Sequence, residues 1–335
     1  MTAPERPARP KVIVTRELTD GVMTRMEDLF DTDLNRTDSA LSRAALEHAV
    51  TQTDVLVPTI TDVIDAALIE KASSRLKLIA NFGVGVDHID LQAARARGIM
   101  ITNTPGVLTE DTADMAMALI LSVPRRLGEG EKLIRSGDWD GWKPSGMLGH
   151  RVNGKTLGII GMGRIGCAVA QRARGFGFKI LYHNRHRLPP EAESALDATY
   201  VADLGEMMAQ ADIISINCPH TQDTHHLINA AQLQRMRPDA YLVNTARGDV
   251  VDENALIEAL EARKIAGAGL DVYAHEPKID PRLLTLPNTV LLPHMGSATY
   301  EGRAAMGEKV ITNIRAWVDG HRPPDQVLEG WSLDL

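Results

Sequence analysis

Lys155-Thr156-Leu157-Gly158-Ile159-Ile160 is an apolar run that closes on Gly161-Met162-Gly163-Arg164-Ile165-Gly166, and a helical period, Ile165 to Phe176, opens directly behind it. A GxGxxG alone is weak, but strand before and helix after give it the context that its chemistry requires. The first glycine permits the tight turn, the second lets a pyrophosphate approach the backbone, and the third allows close helix–strand packing. The helix N-terminus adds unsatisfied N–H groups and a positive dipole end. Gly161, Gly163, Arg164, Ile165 and Gly166 are therefore expected to cradle a dinucleotide. The next strand, Lys179 to His183, runs into Asn184-Arg185-His186-Arg187. A carboxylate that accepts both ribose hydroxyls is the usual NAD signature at this point, and Asn184 stands there instead. A 2′-phosphate is then not repelled, and Arg185 or Arg187 could pair with it. NADP(H) is the expected preference, with NAD(H) still open.

Outward from this motif the chain repeats short β-branched runs and helical periods. Lys11–Thr15, Asp54–Thr59, Leu76–Phe82 and Ile99–Asn103 read as strands before it. Lys155–Gly161, Lys179–His183, Ile213–Cys218, Ala240–Thr245, Ala266–Val272 and Thr289–Pro293 form a second set. One long helical pattern runs from about Glu110 to Arg135, and a last one from Tyr300 to Val318. Alternation of this kind predicts parallel sheets covered on both faces, in two doubly wound α/β domains. A length of 335 residues accommodates two domains of ordinary size.

Composition removes other classes. With 24% charged residues and a formal net charge of −8, the chain has no surplus of Lys and Arg for general nucleic-acid binding. The longest obvious apolar run, Met115 to Val123, is too short for a membrane span. Met1 to Lys11 lacks an apolar core segment and reads as a frayed tail rather than a signal peptide. Cys167 and Cys218, the only cysteines, lie in apolar-periodic segments and are expected to be buried thiols, which fits a cytoplasmic protein.

Three later strands end in polar residues. Val243-Asn244-Thr245-Ala246-Arg247 delivers Arg247. Gly269-Leu270-Asp271 is followed by a loop holding Glu276. Leu291-Leu292-Pro293-His294 ends at His294. Each has a dull explanation taken singly, such as a salt-bridged Arg or a buried structural His. Ligands of open α/β sheets bind beyond the carboxyl ends of strands, so three such ends behind a nucleotide motif point to a converging site. No metal-ligand spacing is evident, and Arg and His can supply the positive charge a metal would give.

The motifs NFGVGVDHID (Asn81–Asp90), NTPGVLTEDTAD (Asn103–Asp114), GMGRIG, NTARGDVVDE (Asn244–Glu253), GLDVYAHEP and PHMGSAT occur in the order found in the D-isomer-specific 2-hydroxyacid dehydrogenases, and the chain resembles that family over nearly its whole length. Gly137-Asp138-Trp139-Asp140-Gly141-Trp142-Lys143-Pro144 and Met147-Leu148-Gly149 are similar to its glyoxylate/hydroxypyruvate reductases. The resemblance implies reduction of a small 2-keto acid to the D-2-hydroxy acid, with Arg247, Glu276 and His294 as catalytic residues. His294 would donate a proton to the keto oxygen, Glu276 would stabilise its charged ring, and Arg247 would clamp carboxylate and carbonyl. Backbone N–H groups at Val84, Gly85 and Val86 would receive the substrate carboxylate. Asp271 would face the nicotinamide carboxamide, with Thr112, Pro219, Thr224, Thr245 and Gly296 also on the cofactor.

The same resemblance implies a flavodoxin-like substrate domain (residues 1–104 with 298–335) and a Rossmann nucleotide domain (105–297). Crossovers near Asn103–Pro105 and Gly296–Thr299 would act as hinges of a closing crevice. A homodimer would form through the long helix after Pro105 and the Trp-bearing loop. The competing readings are a D-lactate, phosphoglycerate or formate specificity, and a non-catalytic dinucleotide-sensing corepressor.

Overall fold

The computed structural model describes residues 9–328. Most of the expected N-terminal tail therefore lies outside the described residues. The described chain groups into two compact units, divided between Leu108 and Thr109 and again between Ser297 and Ala298.

The first unit is built on β1 (Lys11–Val14), β2 (Asp31–Leu34), β3 (Val55–Val57), β4 (Leu78–Ala80) and β5 (Met100–Thr102). All are parallel, in the order β2-β1-β3-β4-β5. Alternation along β1 explains why both faces are covered. Val12 and Val14 join Met26, Phe30 and the helix Tyr300–Val318 through Met306, Val310, Ile314 and Trp317. Ile13 faces the opposite cluster, with Leu46, Leu56, Leu68 and Ile79. Each of these buried side chains contributes on the order of 2 kcal/mol of burial.

The second unit holds β6 (Thr156–Ile160), β7 (Lys179–His183), β8 (Ala198–Tyr200), β9 (Ile213–Ile216), β10 (Tyr241–Asn244), β11 (Gly267–Leu270) and β12 (Thr289–Leu291). Their order is β12-β11-β10-β9-β6-β7-β8, again all parallel. Successive strands are added on one side of β6 as far as β8 and on its other side from β9, so the winding order reverses between β6 and β9, the switch point beside which open α/β sheets bind ligands. Both sheets are doubly wound, as the alternation of strands and helices implies. No helix of the described residues is long and apolar enough to cross a membrane.

Two local expectations change. Strands β2 and β8 are edge strands with no apolar run to reveal them: β2 is Asp-Thr-Asp-Leu, with exposed and half-buried positions alternating. The single helix expected from Glu110 to Arg135 is two, Thr109–Ser122 and Leu127–Ser136. Pro124 has no N–H for a helical bond and disfavours α geometry at Val123. Arg126 then takes a left-handed conformation (φ 56°) from which the second helix starts.

Candidate active site

Three glycines shape the turn after β6, each for a separate reason. Gly161 has φ +91°, and a Cβ there would lie 2.5 Å from the backbone nitrogen of Cys218. A Cβ on Gly166 would sit 2.2 Å from the Gly161 carbonyl oxygen, so the helix Arg164–Gly175 can approach the strand only without one. Gly163 differs: a Cβ there would meet nothing within 4 Å. The protein itself gives no steric reason for that glycine, whereas a pyrophosphate lying on the backbone would. Gly163 also caps its helix without a side-chain bond, which leaves the first-turn N–H groups, next to Arg164 and Ile165, for a ligand. Beyond β9 and β10, Asn217 Oδ1 and Thr245 Oγ1 are buried without a partner. The cradle and the orphaned oxygens fit a dinucleotide.

A prediction separates the glycines. Gly161→Ala should lower stability by several kcal/mol, because both backbone conformation and space forbid it. Gly163→Ala should leave Tm nearly unchanged and weaken dinucleotide binding about tenfold or more. Thermal melts and fluorescence titration read both, and wild-type affinity in Gly163→Ala would remove the phosphate assignment.

At the end of β7, Asn184 Oδ1 accepts the Met162 N–H at 2.6 Å, and His183 O accepts the Gly161 N–H at 3.0 Å. The residue expected beside the ribose thus also ties down the glycine turn. The two arginines behind it part company. Arg185 is exposed, while Arg187 sends Nε and Nη2 to the Glu193 carboxylate, each at 2.8 Å. In the loop after β9, Thr224 Oγ1 donates to Pro219 O at 2.7 Å and accepts the Thr221 N–H. Both thiols are free. Burial pushes the Cys218 thiol up to about 11 and also raises Cys167, so neither is a reactive thiolate at neutral pH.

The adjacent parallel strands β10, β11 and β12 bring Arg247, Asp271, Glu276 and His294 to one edge of the sheet. Asn244 shapes the first turn: its Nδ2 donates to Arg247 O at 2.9 Å, and its Oδ1 accepts the Ala246 N–H at 3.0 Å. Gly248 then lies so close to the next loop that a Cβ would fall 1.9 Å from the Tyr273 carbonyl carbon. That contact sets the Arg247 turn against the loop holding Glu276. Glu276 Oε2 pairs with His294 Nδ1 at 2.7 Å, and its Oε1 accepts the Tyr273 N–H at 3.0 Å. Burial, the largest influence on Glu276, pushes its carboxyl upward. The bond and charge of His294, the Tyr273 N–H and the Arg247 charge outweigh it and hold Glu276 below the usual carboxylate value.

His294 has φ +52°, uncommon for a non-glycine residue. Asp271 holds the backbone behind it: Oδ1 accepts the Met295 N–H at 2.8 Å and Oδ2 the Gly296 N–H at 2.7 Å. Burial pushes the Asp271 carboxyl above its ordinary value despite those two donors. Gly296 faces Asp271 and the buried Thr112, since a Cβ on it would lie 3.2 Å from Asp271 Oδ2 and 3.5 Å from Thr112 Cγ2. The positioning role of Asp271 was not visible in the sequence.

In the first unit, the turn holding Val84 and Gly85 has its carbonyls drawn inward. Asn81 Nδ2 donates to Gly83 O and Gly85 O at 3.0 and 2.9 Å, and Asn103 Nδ2 to Val84 O at 2.8 Å. The N–H groups of Val84, Gly85 and Val86 donate to no backbone acceptor among the described residues. This is the polarity an anion nest needs. Sequence reasoning missed both asparagines, although each stands at or just past a strand end beside a turn.

The structure also groups residues that linear spacing does not: ligand atoms of His225, His226 and Asp249 lie within 4.8 Å of one another. The two imidazoles stack, with centroids 4.0 Å apart and planes 19° apart, so their in-plane lone pairs run side by side rather than converging on one ion.

Residues 117–296 match the family model described as "D-isomer specific 2-hydroxyacid dehydrogenase, NAD binding domain". Glyoxylate reductase of Thermococcus litoralis is 46% identical over 323 residues, covering 95% of this chain and 97% of that one. Among solved structures, a glyoxylate reductase from Paecilomyes thermophila superposes with a TM-score of 0.86 at 35% identity, covering 97% of this chain and 100% of that one. The NADPH-dependent glyoxylate/hydroxypyruvate reductase from Sinorhizobium meliloti, in complex with NADP and malonate, gives 0.84 at 37% identity, covering 96% and 97%.

Proposed function

The chain belongs to the D-isomer-specific 2-hydroxyacid dehydrogenase family as an NAD(P)-dependent enzyme, and from that premise we propose that it reduces glyoxylate or hydroxypyruvate to the D-2-hydroxy acid. The observation that carries the chemistry is the 2.7 Å His294–Glu276 pair, with the Arg247 charge acting on the same carboxylate. When bound, the reduced nicotinamide supplies the hydride that adds to C2 of the keto acid. Charge then grows on the keto oxygen, and His294, its Nδ1 engaged by Glu276, donates a proton from Nε2. Arg247 holds carboxylate and carbonyl in one plane through its guanidinium fork. Val84 and Gly85 take part in binding the substrate carboxylate, supported by their unspent N–H groups. Asp271 serves the carboxamide end of the cofactor as well as the His294 turn, and Thr112, Pro219, Thr224, Thr245 and Gly296 line the same cofactor.

The substrate class rests on the glyoxylate reductases to which the chain is similar. Preference for NADPH rests on Asn184 in place of a carboxylate and on the exposed cation of Arg185. A panel of 2-keto acids, run at 340 nm with NADPH and with NADH, tests the reading. Absence of turnover with both glyoxylate and hydroxypyruvate would overturn the substrate class, and a clear NADH preference would overturn the cofactor choice. The two free thiols, Cys218 buried and Cys167 half-buried, support a cytoplasmic setting.

A homodimer completes the proposal. The helix Leu127–Ser136 buries no residue within its own chain. Leu127, Ile134, Trp139, Trp142 and Leu148 are all exposed, Trp142 to 81%. An apolar surface of this kind marks an interface, and a second copy of the chain is its occupant. Light scattering is expected to give twice the chain mass, and Ile134→Glu to shift it toward monomer. A monomeric wild type would remove the dimer.

A further inference from the structure

The geometry points to Glu193 as the residue that sets how strongly this enzyme favours a 2′-phosphorylated dinucleotide, by holding Arg187 back from the phosphate. This rests on the dinucleotide reading of the β6 turn. Arg187 stands three residues beyond Asn184, where a 2′-phosphate would be met, and its side chain is 62% exposed. It is nevertheless not a loose surface charge. Both N–H groups on its Nε–Nη2 edge go to the two oxygens of Glu193, and its guanidinium lies over the Tyr200 ring, 5.7 Å from the centroid. That edge is the one best suited to a bidentate oxyanion contact.

Glu193 is fixed from inside the protein. It lies in the short helix Pro190–Leu196 and is buried, and its Oε1 also accepts a hydrogen bond from the Tyr182 hydroxyl. Tyr182 is fully buried, its oxygen accepts the Leu188 N–H at 2.9 Å, and its ring packs against Tyr200 with centroids 5.3 Å apart. Tyr200 in turn donates to the Asn184 carbonyl at 3.2 Å. The network therefore runs from the buried side of β7 to the ribose end of the site. The Arg187 bond first, and then the Tyr182 bond, hold the Glu193 carboxyl down at about 2, so it is anionic throughout the working pH range.

A phosphate approaching Arg187 meets a cation whose charge is already matched at contact distance and whose best edge is spent. Arg185, exposed and without an ion pair among the described residues, is left to carry the 2′-phosphate. Such an arrangement keeps both cofactors usable, and the Glu193 carboxylate is the part that limits NADPH.

The test measures binding of adenosine 2′,5′-bisphosphate and of 5′-ADP to the full-length protein by calorimetry, with no turnover needed. Glu193→Gln keeps the side-chain shape and an acceptor for Tyr182. It should raise affinity for the 2′,5′-bisphosphate about tenfold and leave 5′-ADP within about twofold, since an uncompensated guanidinium attracts only the extra phosphate. Arg187→Ala added to Glu193→Gln should erase that gain. In the wild-type background, which leaves the buried carboxylate untouched, Arg185→Ala should lower the ratio of the two affinities more than Arg187→Ala does. The reverse order, or an unchanged ratio in Glu193→Gln, overturns the role of Glu193 while the dinucleotide reading stands. Failure of the wild type to bind either nucleotide overturns both.

Discussion

His294→Ala is expected to lower kcat for keto-acid reduction by about 10²–10⁴-fold while the dinucleotide dissociation constant stays within about twofold. The asymmetry follows from how the residue is mounted. Its left-handed backbone is held by the Asp271 carboxylate through the N–H groups of Met295 and Gly296, and these bonds do not involve the imidazole. Alanine therefore removes the proton donor and leaves the turn. Glu276 takes Nδ1, which leaves Nε2 as the atom that can face a substrate.

The pH dependence has a definite sign. A general acid must carry the proton it donates, so reduction by the proposed route should slow toward alkaline pH. On the acid side Glu276 is held below its ordinary value, so its anion persists through mild acid and is lost only as pH falls beneath the usual carboxylate range of about 4. No loss of the Glu276 anion is expected between about pH 5 and 7. The residual rate of His294→Ala should lack the alkaline decline. Steady-state kinetics across pH with a fluorescence titration of NADPH measure all three. Full turnover by the variant, or a wild-type profile with no alkaline decline, contradicts acid catalysis by His294.

What could be read in the sequence divides by the range of the interaction. The β6 turn was legible because strand, glycines and helix are consecutive, and each glycine answers to an atom within or beside that unit. Strand ends at Arg247 and His294 were legible because an apolar run stops at a polar residue. Edges were not: β2 contacts water along one side and carries Asp31 and Asp33, so it leaves no apolar signature. The break at Pro124 was written in the sequence and was overridden by an apolar period continuing past it. The supporting groups were least legible. Asp271 holding the His294 turn, Asn81 and Asn103 drawing in the carbonyls around Val84, and Glu193 holding Arg187 all join residues across turns. Their partners are fixed by geometry rather than by spacing. Buried polar residues next to strand ends are the signal that would have found most of them.

Arg247→Lys should reduce kcat/KM for glyoxylate by about 10²–10³-fold, on the order of 3–4 kcal/mol, even though the formal charge is kept. The argument rests on how little freedom the position has. Asn244 bonds the backbone on both sides of Ala246, and Gly248 is pressed against Tyr273, so the Cα of residue 247 cannot move to compensate for a different head group. A planar guanidinium at the end of that fixed stem can give two parallel N–H bonds, one to a carboxylate oxygen and one to the carbonyl that becomes the alkoxide. An ammonium gives one directed contact at a time and orients neither group relative to the other. Because the positive charge is retained, Glu276 should stay ionised in the variant and the alkaline decline should persist, which separates loss of orientation from loss of the acid. Kinetics with glyoxylate, a dinucleotide titration and a thermal melt suffice: the last two should match wild type. If kcat/KM in the lysine variant also comes within about twofold of wild type, charge alone does the work and the fork has no part in substrate recognition.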